Sequence, residues 1–118
     1  MDMNNSQDQA LWIDIGEIAD IPLLGSRVVA TREGDIAVFR AADDAVFALH
    51  DRCPHKGGPL SQGIVHGRHV TCPLHGWIMG LEDGEAKAPD KGCAHRVAVR
   101  RVGDRLQLAL GETPAAKD

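Results

Sequence analysis

From Leu11 to Ile18, apolar residues fall on alternate positions: Leu11, Ile13 and Ile15 interleave with Trp12, Asp14 and Gly16. That two-residue period puts successive side chains on opposite faces of a β-strand. Ala19-Asp20-Ile21-Pro22 breaks the pattern, and Gly25 supplies a turn before a second β-type run from Arg27 to Thr31. Glu33-Gly34-Asp35 predicts a turn into a strand over Ile36 to Arg40, and Asp43-Asp44 a turn into Ala45 to His50. Alternation returns at Val97, Val99, Leu106, Leu108 and Leu110, on either side of the hairpin signal Val102-Gly103-Asp104. Between these regions, from Cys53 to Gly92, eight glycines and four prolines leave no sustained period, which predicts ordered loops joined by short strands. No segment carries an apolar stripe at helical spacing, and no internal repeat is present. The pattern is all-β, with a loop-rich insertion between strands.

Length and composition narrow this picture. With 118 residues the chain has room for one domain with one modest core. Residues 1-10 and 111-118 read as a flexible N-terminal segment and a tail around a domain spanning 11-110, whose loops occupy about 51-92. Apolar residues make up 43% and charged residues 25%, and no apolar run approaches the ~20 residues of a membrane span. Met1 to Gln9 lack the basic start and apolar run of a secretory signal, so a soluble, cytoplasmic protein is expected. A net charge of -4 argues against nucleic acid as a partner. Arg96, Arg100 and Arg101, the one dense basic group, read as a solvated strand edge. Three cysteines cannot form a fully paired disulfide framework, and in a reducing compartment they point to metal or redox chemistry.

The cysteines become informative through their neighbours. Cys53-Pro54-His55 and Cys72-Pro73-Leu74-His75 each deliver one thiolate and one imidazole, with sixteen residues between the two arms. Either residue alone would read as a small buried hydrophobe or an ordinary histidine. Two mixed pairs form a metal-ligand set: Cys53, His55, Cys72 and His75. Zinc is the competitor, because four Cys and His ligands also make a closed tetrahedral site. A zinc finger, however, groups its cysteines on one turn and its histidines on a helix, whereas each arm here is mixed and flanked by Pro and Gly. Two parallel loops would set cysteines beside cysteines and histidines beside histidines, which favours a cluster whose irons have different ligands.

Over Leu11 to Leu110 the chain resembles the Rieske family, through Cys53-Pro54-His55-Lys56-Gly57-Gly58-Pro59-Leu60 and Thr71-Cys72-Pro73-Leu74-His75-Gly76-Trp77. The resemblance implies a Rieske-type antiparallel β-sandwich with a cluster-binding subdomain and one 2Fe-2S cluster. Cys53 and Cys72 would hold the inner iron, and His55 and His75 the outer, solvent-facing iron. Glycines 57, 58 and 76 could then approach the cluster closely and offer N–H groups to its sulfurs. The respiratory branch adds a disulfide between the loops and Ser and Tyr hydroxyl donors. Here Leu74 stands in the place of the extra cysteine, Trp77 lies two residues after His75, and the chain has no Tyr. Fewer donors leave the reduced cluster less stabilised, which predicts a potential toward the low end of the Rieske range.

The remaining candidates read blandly. Cys93 is expected to be a partly buried structural cysteine, and Pro89 and its neighbours a third loop shielding the cluster. His50, His66, His69 and His95 have no partner at ligand spacing, and Trp77 is expected to pack in the core. With four ligands bound the cluster has no open position, so the chain is expected to be an oxidoreductase component with no catalytic residue of its own. The loop wording resembles the small subunit of an assimilatory NAD(P)H nitrite reductase, which implies a large partner subunit carrying flavin, a 4Fe-4S cluster and sirohaem. The alternative is a free Rieske ferredoxin between a reductase and a ring-hydroxylating dioxygenase. A third reading, a redox-silent binding module, is weakened by the retention of all four ligands.

Overall fold

The computed structural model describes residues 11–54, 57–73 and 76–110. Ten strands run through them: β1 (Leu11–Glu17), β2 (Ser26–Thr31), β3 (Gly34–Arg40), β4 (Val46–His50), β5 (Ile64–His66), β6 (His69–Thr71), β7 (Ile78–Gly80), β8 (Arg96–Val97), β9 (Val99–Val102) and β10 (Arg105–Leu110). Only two 3-10 turns accompany them, Ile18–Asp20 and Leu60–Gln62. The all-β expectation holds, and among the described residues no helix is long and apolar enough to cross a membrane.

The strands form three antiparallel sheets, ordered β1-β10-β9, β2-β3-β4-β8 and β5-β6-β7. The Gly103 hairpin joins β9 to β10 with Val102 opposite Arg105, and β9 is an edge strand, so Arg100 and Arg101 lie where the charge pattern suggested. Arg100 stacks on Trp12 with its guanidinium carbon 4.0 Å from the ring centre. β1 carries a bulge between Asp14 and Gly16, where Gly16 takes φ 110° and its N–H donates to the Asp14 carboxylate. Ile13 and Ile15 line one apolar hollow with Leu108 and Leu110, Ile15 buried and Ile13 at its exposed end.

β3 explains how the layers stack. Ile36, Ala37, Val38 and Phe39 are all fully buried, so this strand is covered on both faces. Ile36 and Val38 join Ala48, Leu106, Leu108, Ile15, Ile18 and Ile21 in a core against the β1-β10-β9 sheet. Ala37 and Phe39 face the other way, into a second core with Leu49, Leu60, Val65, Val70, Met79, Leu81, Cys53 and Cys72. The four-stranded sheet is thus the middle layer, with the β5-β6-β7 subdomain packed on its second face. Burying a side chain such as Phe39 or Leu60 stabilises the stack by roughly 1.5–3 kcal/mol. At the surface, Arg68 ties the two parts: it pairs with Asp43 (2.6 Å) and Glu82 (3.1 Å) and lies 5.3 Å from the Phe47 ring centre.

Candidate metal centre

β4 delivers the chain into the first loop and β6 into the second, and the two loops are built alike. The Cys53 N–H donates to the Gly58 carbonyl at 2.8 Å, and the Cys72 N–H donates to the Trp77 carbonyl at 2.6 Å. Each closure reaches from a cysteine to the residue five positions on. Each loop also puts a glycine four positions after its cysteine in the left-handed region, Gly57 at φ 73° and Gly76 at φ 71°. A Cβ at either position would strain that path. The repeated Cys-Pro-x-x-Gly wording is therefore a repeated backbone conformation.

The loops share a polarity as well. Cys53 and Cys72 are each 1% exposed and belong to one buried cluster with Leu60, Val65, Val70, Met79 and Leu81. No disulfide involves either of them. Pro54, Gly57, Pro73 and Gly76 are exposed. A group held between the loops is thus anchored on the apolar core and approached from the surface.

A third loop leaves the end of β7, held by Lys87 N–H to the Ile78 carbonyl, Ala86 N–H to the Gly92 carbonyl (both 2.9 Å) and Asp90 N–H to the Lys87 carbonyl (3.0 Å). A Cβ on Gly92 would lie 3.0 Å from Pro54 Cβ, 3.2 Å from Pro54 Cγ and 3.8 Å from Trp77 Cζ3. Residues from all three loops meet at that point, as a shielding loop requires. Trp77 is half-buried and packs against the second core, the one that holds Phe39, Cys53 and Cys72.

His55 and His75, with Lys56 and Leu74, lie outside the described residues, as do 1–10 and 111–118. Among the described residues no group of three or more His, Cys, Asp or Glu could hold a metal. Cys53 and Cys72 are the described half of the expected ligand set, and their chemistry fits an iron–sulfur cluster. Two soft donors, neither in a disulfide, belong to one buried apolar cluster at the heads of matching loops. One expectation is corrected: the Gly57 N–H donates to the Cys53 carbonyl at 2.8 Å, so it is engaged within its own loop and not directed to sulfur.

The other histidines pair with one another outside this centre. His50 and His95 meet edge to face at 6.0 Å, and burial, with His95 as a lesser contributor, holds the His50 pKa below its ordinary value. His66 and His69 stack across the β5–β6 hairpin at 6.0 Å, and His66 Nε2 is 2.7 Å from Thr71 Oγ1. Cys93 is exposed, contrary to the partly buried role expected of it, because it sits at the rim of a hollow of about 470 Å³ shared with His50, Arg52, Pro54, Gly57 and His95. Arg52 was not singled out from the sequence, although it immediately precedes Cys53. Its Nε lies 3.4 Å from where a Gly57 Cβ would be.

Comparison with known proteins bears on this geometry. Residues 11–98 match the family model of the Rieske [2Fe-2S] domain. The chain is 31% identical over 103 residues to the anthranilate 1,2-dioxygenase ferredoxin subunit of Burkholderia cepacia, an alignment covering 86% of this chain and 94% of that protein. Against other curated relatives, several of them oxygenase subunits or monooxygenases, it spans only 12 to 20% of their length. Its fold is similar to that of a protein provisionally described as the NADH-dependent nitrite reductase small subunit of Mycobacterium tuberculosis. There the TM-score is 0.78 and the identity 23%, over 87% of this chain and 97% of that one. It is equally similar to the ferredoxin of carbazole 1,9a-dioxygenase from Nocardioides aromaticivorans IC177, with TM-score 0.76 and 19% identity over 83% and 96% of the two chains. The buried thiol pair, the matched loops and the family match together assign this chain to the Rieske [2Fe-2S] domain family, an electron-transfer domain whose cofactor is a Rieske-type 2Fe-2S cluster.

Proposed function

We propose that the protein passes single electrons through a cluster held by Cys53, His55, Cys72 and His75. The observation that carries this is the pair of buried thiols at the heads of two identically closed loops. When bound, the cluster supplies a reversible one-electron couple. Cys53 and Cys72 fix it to the core, where the apolar shell limits water and lowers the local dielectric. His55 and His75, two and three residues past the cysteines in sequence, would hold the other iron, as the family resemblance implies. With four protein ligands in place, substrate has no position on the metal, so bond chemistry belongs to a partner.

The partner we assign is the large subunit of an NAD(P)H-dependent nitrite reductase, carrying flavin, a 4Fe-4S cluster and sirohaem and reducing nitrite to ammonia in the cytoplasm. The support is loop wording: the Gly-Gly-Pro-Leu-Ser-Gln-Gly-Ile-Val run over 57–65, His75-Gly76-Trp77, and Ala88 to Cys93. A second reading, a free ferredoxin feeding a ring-hydroxylating dioxygenase, is favoured by the 31% identity over nearly the whole length of the anthranilate dioxygenase ferredoxin subunit. The fold likeness is common to both and does not separate them. The deciding experiment is nitrite-dependent NADH oxidation by a purified large nitrite reductase subunit from the same organism, with and without this chain. A requirement for this chain supports the first reading. Full activity in its absence, with electron delivery from this chain to a dioxygenase instead, supports the second.

A further inference from the structure

Basic side chains are distributed unevenly between the two ends of the molecule. Away from the loops several are neutralised: Arg40 pairs with Asp44, Arg68 with Asp43 and Glu82, Arg101 with Asp104, and Arg105 with Asp14 and Glu17. Arg27, Arg32 and Arg96 are exposed and form no ion pair among the described residues, Arg27 donating to the Ile15 carbonyl and Arg96 to the Glu82 carbonyl. Arg100 stacks on Trp12 and bonds Gln107. Around the loops, Arg52, Lys87 and Lys91 are exposed and form no ion pair among the described residues. Segments 51–59, 72–77 and 87–92 hold four of the thirteen Lys and Arg but only two of the seventeen Asp and Glu. Of those two, Asp51 accepts both the N–H and the hydroxyl of Ser61 at 2.7 Å, and Asp90 is half-buried. Glu33 and Asp35 line the hollow beside Arg52, and Glu85 lies at the root of the third loop, so acidic side chains border the positive region.

A chain of net charge -4 thus presents, at the face where its cluster would be approached, cations that form no ion pair among the described residues. We infer that this loop face is the docking surface for an electron-transfer partner whose own redox centre is ringed by acidic side chains, with Arg52, Lys87 and Lys91 as the steering charges. The inference rests on the cluster reading above. Placed there, the charges orient encounter so that the loops lead, and they repel partners with a basic surface. They are exposed, so their effect is on encounter rate and is screened by salt within about 10 Å at 0.1 M.

Small redox reagents of opposite charge read this potential directly. Reduced holoprotein is mixed rapidly with ferricyanide, an anion that takes one electron to become ferrocyanide. The counterpart is tris(phenanthroline)cobalt(III), a cation that takes one electron to become the cobalt(II) complex. The expected result is a ferricyanide rate that falls about threefold or more as salt is raised from low to physiological strength, and a cobalt rate that rises. Replacing all three steering residues (R52E, K87E and K91E) reverses both slopes and moves the midpoint potential downward, because negative charge then opposes reduction. Replacing Arg100 and Arg101 on the outer sheet (R100E and R101E) leaves the slopes as they were. A wild-type ferricyanide rate that rises with salt, as the net charge alone dictates, overturns the docking surface while leaving the cluster reading intact. Protein without a cluster overturns both.

Discussion

Gly92 is the point at which the third loop closes on the first, and Gly92→Ala tests that closure. The position has φ 136°, where an L-residue is strained by ~1–3 kcal/mol. The added Cβ would also lie 3.0 Å from Pro54 Cβ, an overpacking that costs a further ~1–3 kcal/mol unless the loop moves. Lifting the third loop relieves both, so about 3 kcal/mol should raise the lifted population roughly a hundredfold, at about 1.4 kcal/mol per factor of ten. The assay is loss of visible cluster absorbance under an iron chelator, whose access depends on the lifted state. Gly34→Ala is the control, because Gly34 has φ 104° but nothing within 4 Å of an added Cβ. The account predicts at least tenfold faster chelation in Gly92→Ala, and an unchanged rate with only a lower Tm in Gly34→Ala. Equal rates for Gly92→Ala and the parent protein, or equal acceleration in both variants, would refute it.

Three further outcomes follow from particular contacts. Because the His50 pKa is lowered on folding, the unfolded chain takes up its proton first as pH falls. Stability contributed at His50 is therefore full above about pH 6.5 and declines as pH drops toward the folded value; the Tm difference between parent and His50→Gln should shrink from pH 7.5 to 5.5. Arg68→Met removes two ion pairs whose partners are exposed and one contact with Phe47, so it should lower unfolding stability by only ~1 kcal/mol. A loss of ~3 kcal/mol in urea titration would mean that Arg68 holds the subdomain to the base far more strongly than these contacts imply. With the Gly57, Cys53 and Cys72 amides engaged within the loops and no Tyr in the chain, the midpoint potential should lie at the low end of the Rieske range. A value above about +100 mV would contradict that argument.

Strand segments along the chain and the loop-rich insertion were legible because turn chemistry and period-two alternation are local signals, as at Val102-Gly103-Asp104 and along Leu106 to Leu110. Boundaries moved by only a residue or two, for instance Ser26 in place of Arg27 at the start of β2. The middle-layer role of β3 was written in its unalternating Ile36-Ala37-Val38-Phe39 run, yet a run buried on both faces names no partner for either face. The centre was legible as four residue types at a spacing, but its equivalent loop closures were not, since backbone hydrogen bonds from Cys53 to Gly58 and from Cys72 to Trp77 leave no trace in composition. The exposure of Cys93, and the lack of an ion pair for Arg52, Lys87 and Lys91 among the described residues, depend on which elements fold against them, which no local pattern contains.

The claim on which the rest depends is that Cys53 and Cys72 share one cluster with His55 and His75. Pulsed EPR of the reduced, purified protein tests it most directly, read together with its iron and sulfide content. The account predicts a reddish-brown protein with two irons and two sulfides per chain, a low-average-g signal, and coupling to two histidine nitrogens that is lost when His55 or His75 is replaced by Ala. A colourless protein holding stoichiometric zinc, or a cluster signal without nitrogen coupling, would contradict it.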